Sequence, residues 1–207
     1  NIIRRKDEIR LPDEKQYPVA YLSLKYSHPE WLLKMWLHQY DYDFVKELCK
    51  QNNMPPDVTI VINPLRTTTE QLAKELEQQG VLVKKGMYQN VLHLSKTADI
   101  AKLKAFQQGK FHVQDESSVT AVEVLAPQPQ EKILDMCAAP GGKSTQLGAR
   151  LCQTGVLVSN DISAGRTKAL LKNIELFGIC NSIVMSETPQ KLSNYFQNYF
   201  DKILIDA

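Results

Sequence analysis

Little in this chain commits it to a class at first sight. No apolar run approaches the roughly twenty residues of a membrane span, so no membrane anchor is expected. Cysteine is sparse: Cys49, Cys137, Cys152 and Cys180 stand alone, none in C-x-x-C spacing. His28, His38, His93 and His112 complete no metal pattern with them, so no metal site is expected. Unpaired cysteines suit a reducing compartment, and the N-terminus is charged rather than apolar; the expected location is the cytoplasm. Charge of either sign is in short supply as an excess. The net value is +2, which neither demands nor excludes a nucleic-acid partner, and any basic surface must be local. The chain also lacks an initial methionine and stops in the apolar run D-K-I-L-I-D-A, so it is expected to be a piece of a longer protein.

What is there suits an ordinary globular protein. The 207 residues, 43% hydrophobic and 23% charged, leave room for one large domain or two small ones. The most informative stretch is Lys132–Thr145, K-I-L-D-M-C-A-A-P-G-G-K-S-T. Ile133–Met136 reads as a buried strand, Cys137–Gly142 as a turn of small residues, and Lys143–Leu151 as a helix. Such a turn aims backbone N–H groups at a ligand with no bulky side chain in the way.

Three cofactor classes use turns of this kind. A phosphate loop needs G-x-x-x-x-G-K-[ST]; Gly142, Lys143 and Ser144 fit its end, but Cys137 stands where its first glycine belongs. A dinucleotide fingerprint needs G-x-G-x-x-G, and only the last two residues of 137–142 are glycine. The third class binds S-adenosylmethionine, which has no pyrophosphate and needs no strict phosphate-loop geometry.

The rest of the chain supplies a frame. Pro12–Lys25 reads as irregular connection. A helix is expected from Ser27 to Tyr40, with a Ser27/Glu30 capping box, with Leu32, Met35 and Trp36 on one side and both tryptophans packed. A second helix follows at about 43–51. Then come a strand at Val58–Ile62, a helix at Thr67–Gln79 with a Thr67/Glu70 box and a Gly80 stop, strands at 81–84 and 90–94 around Gly86, and a short helix at 100–107. That order is that of a ferredoxin-like or RRM-like α+β domain, placed at 28–112. Beyond it, Asp115–Val124 reads as a helix with Val119, Val122 and Val124 or Leu125 inward. Strands at 133–136, 156–160, 183–185 and 202–206 alternate with helices at 143–151, 165–177 and 189–195, which argues a parallel sheet with helices on both faces.

Three acids fall at or near strand ends, where such sheets bind ligands: Asp161, Glu187 and Asp206. Asp161 lies 19 residues after Gly142, close to the about twenty expected of a ribose-binding acid. Its competing role is a cap before Ser163. Glu187 has two readings, an adenine contact or a cap for the helix at Pro189. Gln114 and Asp115 could close over the same site, against a simple N-cap role for Asp115. On the small domain, Arg66, Lys84, Lys85 and Lys110 supply cations and Tyr88 an aromatic ring, the groups that phosphates and splayed bases need.

The string C-A-A-P-G-G-K, Cys137–Lys143, is similar to the cofactor motif of the RNA cytosine-5 methyltransferases of the RsmB/Sun and RsmF group. P-E-W-L-L-K-x-W (29–36) resembles the helix that opens their small domain, I-N-P-L-R (62–66) their V-N-x-L-[KR] segment, and V-Q-D-E-S-S (113–118) their V-Q-D-x-[SA]-[SA] lead-in. N-D-I with Arg166, and I-D-A as the start of D-A-P-C, fit the same group. Residues 164–207 look closer to the RsmF type and the rest to the RsmB type.

The resemblance implies an α/β chain: an incomplete Rossmann-like methyltransferase domain (113–207), preceded by the small α+β domain (28–112), with 1–27 a linker or the end of a helical RNA-binding module. It implies S-adenosylmethionine held by Cys137, Ala138, Ala139, Pro140, Gly141, Gly142, Lys143, Asp161, Glu187 and Asp206. It implies methyl transfer to carbon 5 of a cytosine in small-subunit ribosomal RNA, with Arg66 facing the RNA; Lys84 and Lys85 are expected to face it on their charge alone, and the chain is expected to be a monomer. That carbon becomes nucleophilic only after an enzyme thiolate adds to carbon 6. The family's two cysteines for this lie beyond Ala207, so no catalytic residue is expected here and the chain alone is expected to be inactive. Two alternatives stand beside this reading: a non-catalytic RNA-binding module of the same fold, and a phosphotransferase using ATP and magnesium.

Overall fold

Three short helices open the described part of the chain. The computed structural model describes residues 10–95 and 99–206, so the charged stretch at Arg4–Glu8 lies outside it. Contacts divide the chain into two units, residues 1–56 and 57–207. In the first, α1 (Pro18–Tyr26), α2 (Glu30–Gln39) and α3 (Tyr42–Asn52) share a core of Leu22, Leu33, Val45 and Cys49.

Helix α1 replaces the irregular connection expected at 12–25. Pro18 sits in its first turn, where a missing N–H costs nothing, so this proline starts a helix rather than breaking one. Ser27 is left-handed at φ 57° and closes α1, so it cannot cap α2; Pro29 takes that position without a side-chain cap bond. The inward stripe of α2 runs through Leu33, Trp36 and Leu37. Trp31 and Met35, expected inside, are 66% and 48% exposed. Helix α3 is capped by Asp41, whose Oδ1 accepts from Phe44 N at 2.8 Å.

The second unit begins with β1 (Val58–Ile62), α4 (Thr69–Gln78), β2 (Leu82–Lys85), β3 (Val91–Ser95), a 3-10 turn at Ile100–Lys102, α5 (Lys104–Gln107) and β4 (Phe111–Val113). The strands form an antiparallel sheet in the order β2-β3-β1-β4. Ile60 pairs with Leu92, and both pack with Leu72, Leu76 and Phe111 under α4. Their neighbours Val61 and Val91 point to the opposite face, as strand alternation requires, and meet Val119 of the next helix. The capping box of α4 is Thr68/Gln71, one residue later than expected, because the helix starts at Thr69. Strand β4 falls where only a connection was expected; three residues are too few to show a period.

The remainder is α6 (Glu116–Leu125), β5 (Lys132–Asp135), α7 (Gly142–Arg150), β6 (Val156–Asn160), α8 (Ala164–Phe177), β7 (Ser182–Met185), α9 (Pro189–Tyr195) and β8 (Lys202–Leu204). Its strands are parallel in the order β7-β6-β5-β8. The chain moves outward from β5 to β7, then returns past β5 to β8. Right-handed crossovers therefore put α7 and α8 on one face and α9 on the other. Leu125, not Val124, turns inward from α6; Val124 is 80% exposed.

A polar seam joins the two sheets of this unit. The buried Asn63 amide donates to Gly109 O and to Phe177 O, each at 2.9 Å. Arg66 donates to Leu176 O at 3.1 Å, so it serves a carbonyl at the C-terminal end of α8.

Candidate cofactor cleft

All four parallel strands contribute to one cleft of about 530 Å³ beyond their carboxyl ends. From β5 come Met136 to Pro140, Gly142 and Lys143; from β6, Asn160 to Ile162; from beyond β7, Glu187 and Pro189; from beyond β8, Asp206. Val113, the last residue of β4, and Gln114 just after it close one side. Of the ten cofactor residues expected, all but Gly141 line it. Gly141 instead makes the turn possible: its φ is +113°, and a Cβ there would come within 3.0 Å of Leu170.

The turn is held from below. Asp161 is 2% exposed. Its Oδ2 accepts from Ala139 N at 3.2 Å and its Oδ1 from Ser163 N at 2.9 Å. Arg166 lies 3.4 Å from the same carboxylate and donates to Ala139 O at 2.7 Å. One Asp161 oxygen orders the chain at Ser163, and the carboxylate also borders the cleft. Lys143 pairs with Asp206 across the cleft. Glu187 pairs with Lys191 at 2.9 Å, and Thr188, not Glu187, caps α9. Asp115 stands at the N-cap of α6 but makes no side-chain cap bond. Cys137 is a free, half-buried thiol in the turn.

Two residues that sequence reasoning passed over hold this arrangement. Asn160 accepts from Glu187 N at 2.9 Å and donates to Glu187 O and Met136 O, tying three strand ends together. Its signal was a polar residue closing an apolar strand. Asp135 was read only as the strand's end. It is 1% exposed and accepts from Ser144 Oγ at 2.6 Å. Burial raises its carboxyl to about 6, against the Ser144 hydroxyl and Lys143, with Asp206 adding to the rise. The folded chain therefore holds this proton more tightly than the unfolded chain does. The stability it contributes is fully present below about pH 4 and is lost as pH rises through about 6. Asp135→Asn keeps an acceptor for Ser144 and loses the titration. In urea unfolding, wild-type stability relative to this variant is expected to fall by on the order of 2–3 kcal/mol between pH 4 and 7; a constant difference would contradict the assignment.

The candidate RNA contacts differ in their surroundings. Lys84 and Lys85 are exposed on the edge strand β2. Lys110 is paired with Glu75 at 2.7 Å, and Tyr88 binds Thr120 through its hydroxyl while its ring packs on Val61, Val91 and Val119. Arg66 has the helix-end post described above. Among the described residues, no group of three or more His, Cys, Asp or Glu is placed to hold a metal, and no helix is long and apolar enough to cross a membrane.

The fold and cleft define a Rossmann-type methyltransferase sheet coupled to a ferredoxin-like domain. Two family models match in agreement with this: 16S rRNA methyltransferase RsmB/F over residues 122–207, and the ferredoxin-like domain of the RsmF/B-like methyltransferases over 28–101. The chain belongs to the RsmB/F family. It is 33% identical over 199 residues to a probable ribosomal RNA small subunit methyltransferase B of Bacillus subtilis, covering 94% of this chain and 44% of that protein. It is 35% identical over 185 residues to the 25S rRNA (cytosine-C(5))-methyltransferase nop2 of Schizosaccharomyces pombe, covering 88% and 30%. The chain thus spans less than half the length of these relatives. A solved methyltransferase homolog from Pyrococcus horikoshii shares the fold, with a TM-score of 0.77 at 24% identity over 90% of this chain and 61% of that one.

Proposed function

We propose that this chain is the cofactor-binding and RNA-facing part of an S-adenosylmethionine-dependent ribosomal RNA (cytosine-C5)-methyltransferase. The observation that carries the reading is the cleft, where a small-residue turn, a helix N-terminus and a buried strand-end acid converge. The residues fit the cofactor. A side chain at 142 would press on Gln114 within 3.0 Å, so the turn is kept bare where a ligand must approach backbone amides. Asp161 retains lone pairs for both ribose hydroxyls. The first turn of α7 with Lys143 suits the amino-acid end. Ile162, 70% exposed at the rim, offers an apolar face to the adenine, and Glu187 lies in reach of its edge.

Bound there, S-adenosylmethionine supplies an electrophilic methyl group. The chain's own residues orient it: Asp161 by the ribose, α7 by the carboxylate, Asp206 beside the face that meets the target base. Cys137 lies inside the turn and is not the nucleophile. The domain of residues 28–112 faces the RNA, and 113–207 carries the cofactor. The enzyme works as a metal-free cytoplasmic monomer on small-subunit RNA, the substrate in the name of the Bacillus relative.

Lys84 and Lys85 are the open cations of the small domain's edge. Reversing both to glutamate is expected to weaken binding of a cytosine-containing single-stranded RNA by about tenfold in anisotropy titrations near 0.1 M salt. Unchanged affinity would move the RNA face elsewhere.

A further inference from the structure

Gln114 has one feature that none of the cofactor-turn residues shares: its amide is oriented by fixed partners. The chain of assignment starts at a backbone carbonyl. Gly142 O accepts at 3.2 Å from the terminal amide of Gln146, so the Gln146 atom there is nitrogen. That same nitrogen lies 2.6 Å from Gln114, so the facing Gln114 atom is its oxygen. The oxygen also lies 2.6 Å from His112 Nε2, which must then carry the ring proton. His112 Nδ1 is left bare and buried without a partner, as a neutral ring protonated on Nε2 leaves it. Burial lowers the affinity of this ring for a second proton. With its oxygen held twice, Gln114 has its NH2 group on the other side. Among the described residues Gln114 Nε2 donates no hydrogen bond, and the residue lines the cleft beside Gly142 and the start of α7.

We propose that Gln114 is a cofactor-binding residue, its amide NH2 donating to the carboxylate at the amino-acid end of S-adenosylmethionine, with His112 and Gln146 as positioning residues. This rests on the cofactor reading above. The geometry selects the carboxylate, because the same corner holds the N–H groups of the first α7 turn, which favour an anion. Asp161 serves the ribose farther along. The contact is tied to the small sheet, since Gln114 directly follows β4 and its N–H donates to Thr59 O of β1 at 3.1 Å.

The test is calorimetric titration of S-adenosylmethionine and of its decarboxylated analogue into the 207-residue chain and its variants, after circular dichroism. Gln114→Glu keeps an oxygen for His112 and Gln146 and places a negative oxygen where the NH2 stood. It is expected to weaken S-adenosylmethionine by about 30-fold and to change the decarboxylated analogue by less than about threefold. Should that variant fail to fold, Gln114→Met, similar in volume but without a donor, is expected to cost about five- to tenfold for the carboxylate ligand alone. Equal weakening of both ligands, or of neither, overturns the proposal and leaves the cofactor reading standing. Wild type binding neither ligand overturns both.

Discussion

Asp161→Ala is expected to weaken S-adenosylmethionine binding by about 100-fold, the largest effect of any single change in the cleft. A carboxylate accepting two ribose hydroxyls gains about 1.5 kcal/mol or more from each charge-assisted bond, and the two together reach that factor. The substitution also removes the acceptor for Ala139 N and Ser163 N, so the turn above loses its support. Asp161→Asn is the milder change. It keeps an oxygen for only one of these two N–H groups and carries no charge, and a loss of about tenfold is expected. Arg166 adds little to the cost, because its side chain is 61% exposed and water replaces the carboxylate. A loss below about threefold in a folded Ala variant would remove Asp161 from the cofactor site.

Gly109→Ala is expected to cost about 2–4 kcal/mol of stability, through the seam rather than the cleft. Gly109 is left-handed at φ +65°, and a Cβ there would lie 2.4 Å from Leu176 O. That carbonyl is backbone at the end of α8 and is bonded to Arg66. It cannot swing aside as a side-chain tip could. The small sheet must then withdraw from α8, stretching the buried Asn63 bonds to Gly109 and Phe177. Gly80→Ala is the control. Gly80 has φ +80° with nothing within 4 Å of its would-be Cβ, so only the conformational cost of about 1 kcal/mol applies. Urea unfolding of the two variants isolates the clash as their difference. Equal losses would mean that the seam yields.

Much of this was legible in the residues. Val58–Ile62, Val156–Asn160 and Pro189–Tyr195 form their elements with the limits read from sequence, because each is bounded by strong turn signals. The cofactor turn was legible because its residues are consecutive. Failures arose where one residue type serves two structures. Pro18 starts a helix but reads as a breaker, and Ser27 closes a helix while resembling a cap for the next. The partners of Arg66, Lys110 and Tyr88 were not legible, because Leu176, Glu75 and Thr120 lie 110, 35 and 32 residues away. The Gln114–Gln146 bond spans 32 residues and joins two elements by a contact that no local spacing reports.

The decisive measurement is calorimetric titration of S-adenosylmethionine into the 207-residue chain, with ATP and magnesium titrated in parallel. Gly142–Lys143–Ser144 also fits the end of a phosphate loop, so the two ligands divide the readings cleanly. The account predicts saturable single-site binding of S-adenosylmethionine and no heat of binding from ATP with magnesium. Binding of ATP alone, or of neither ligand by a chain that circular dichroism shows to be folded, would contradict it.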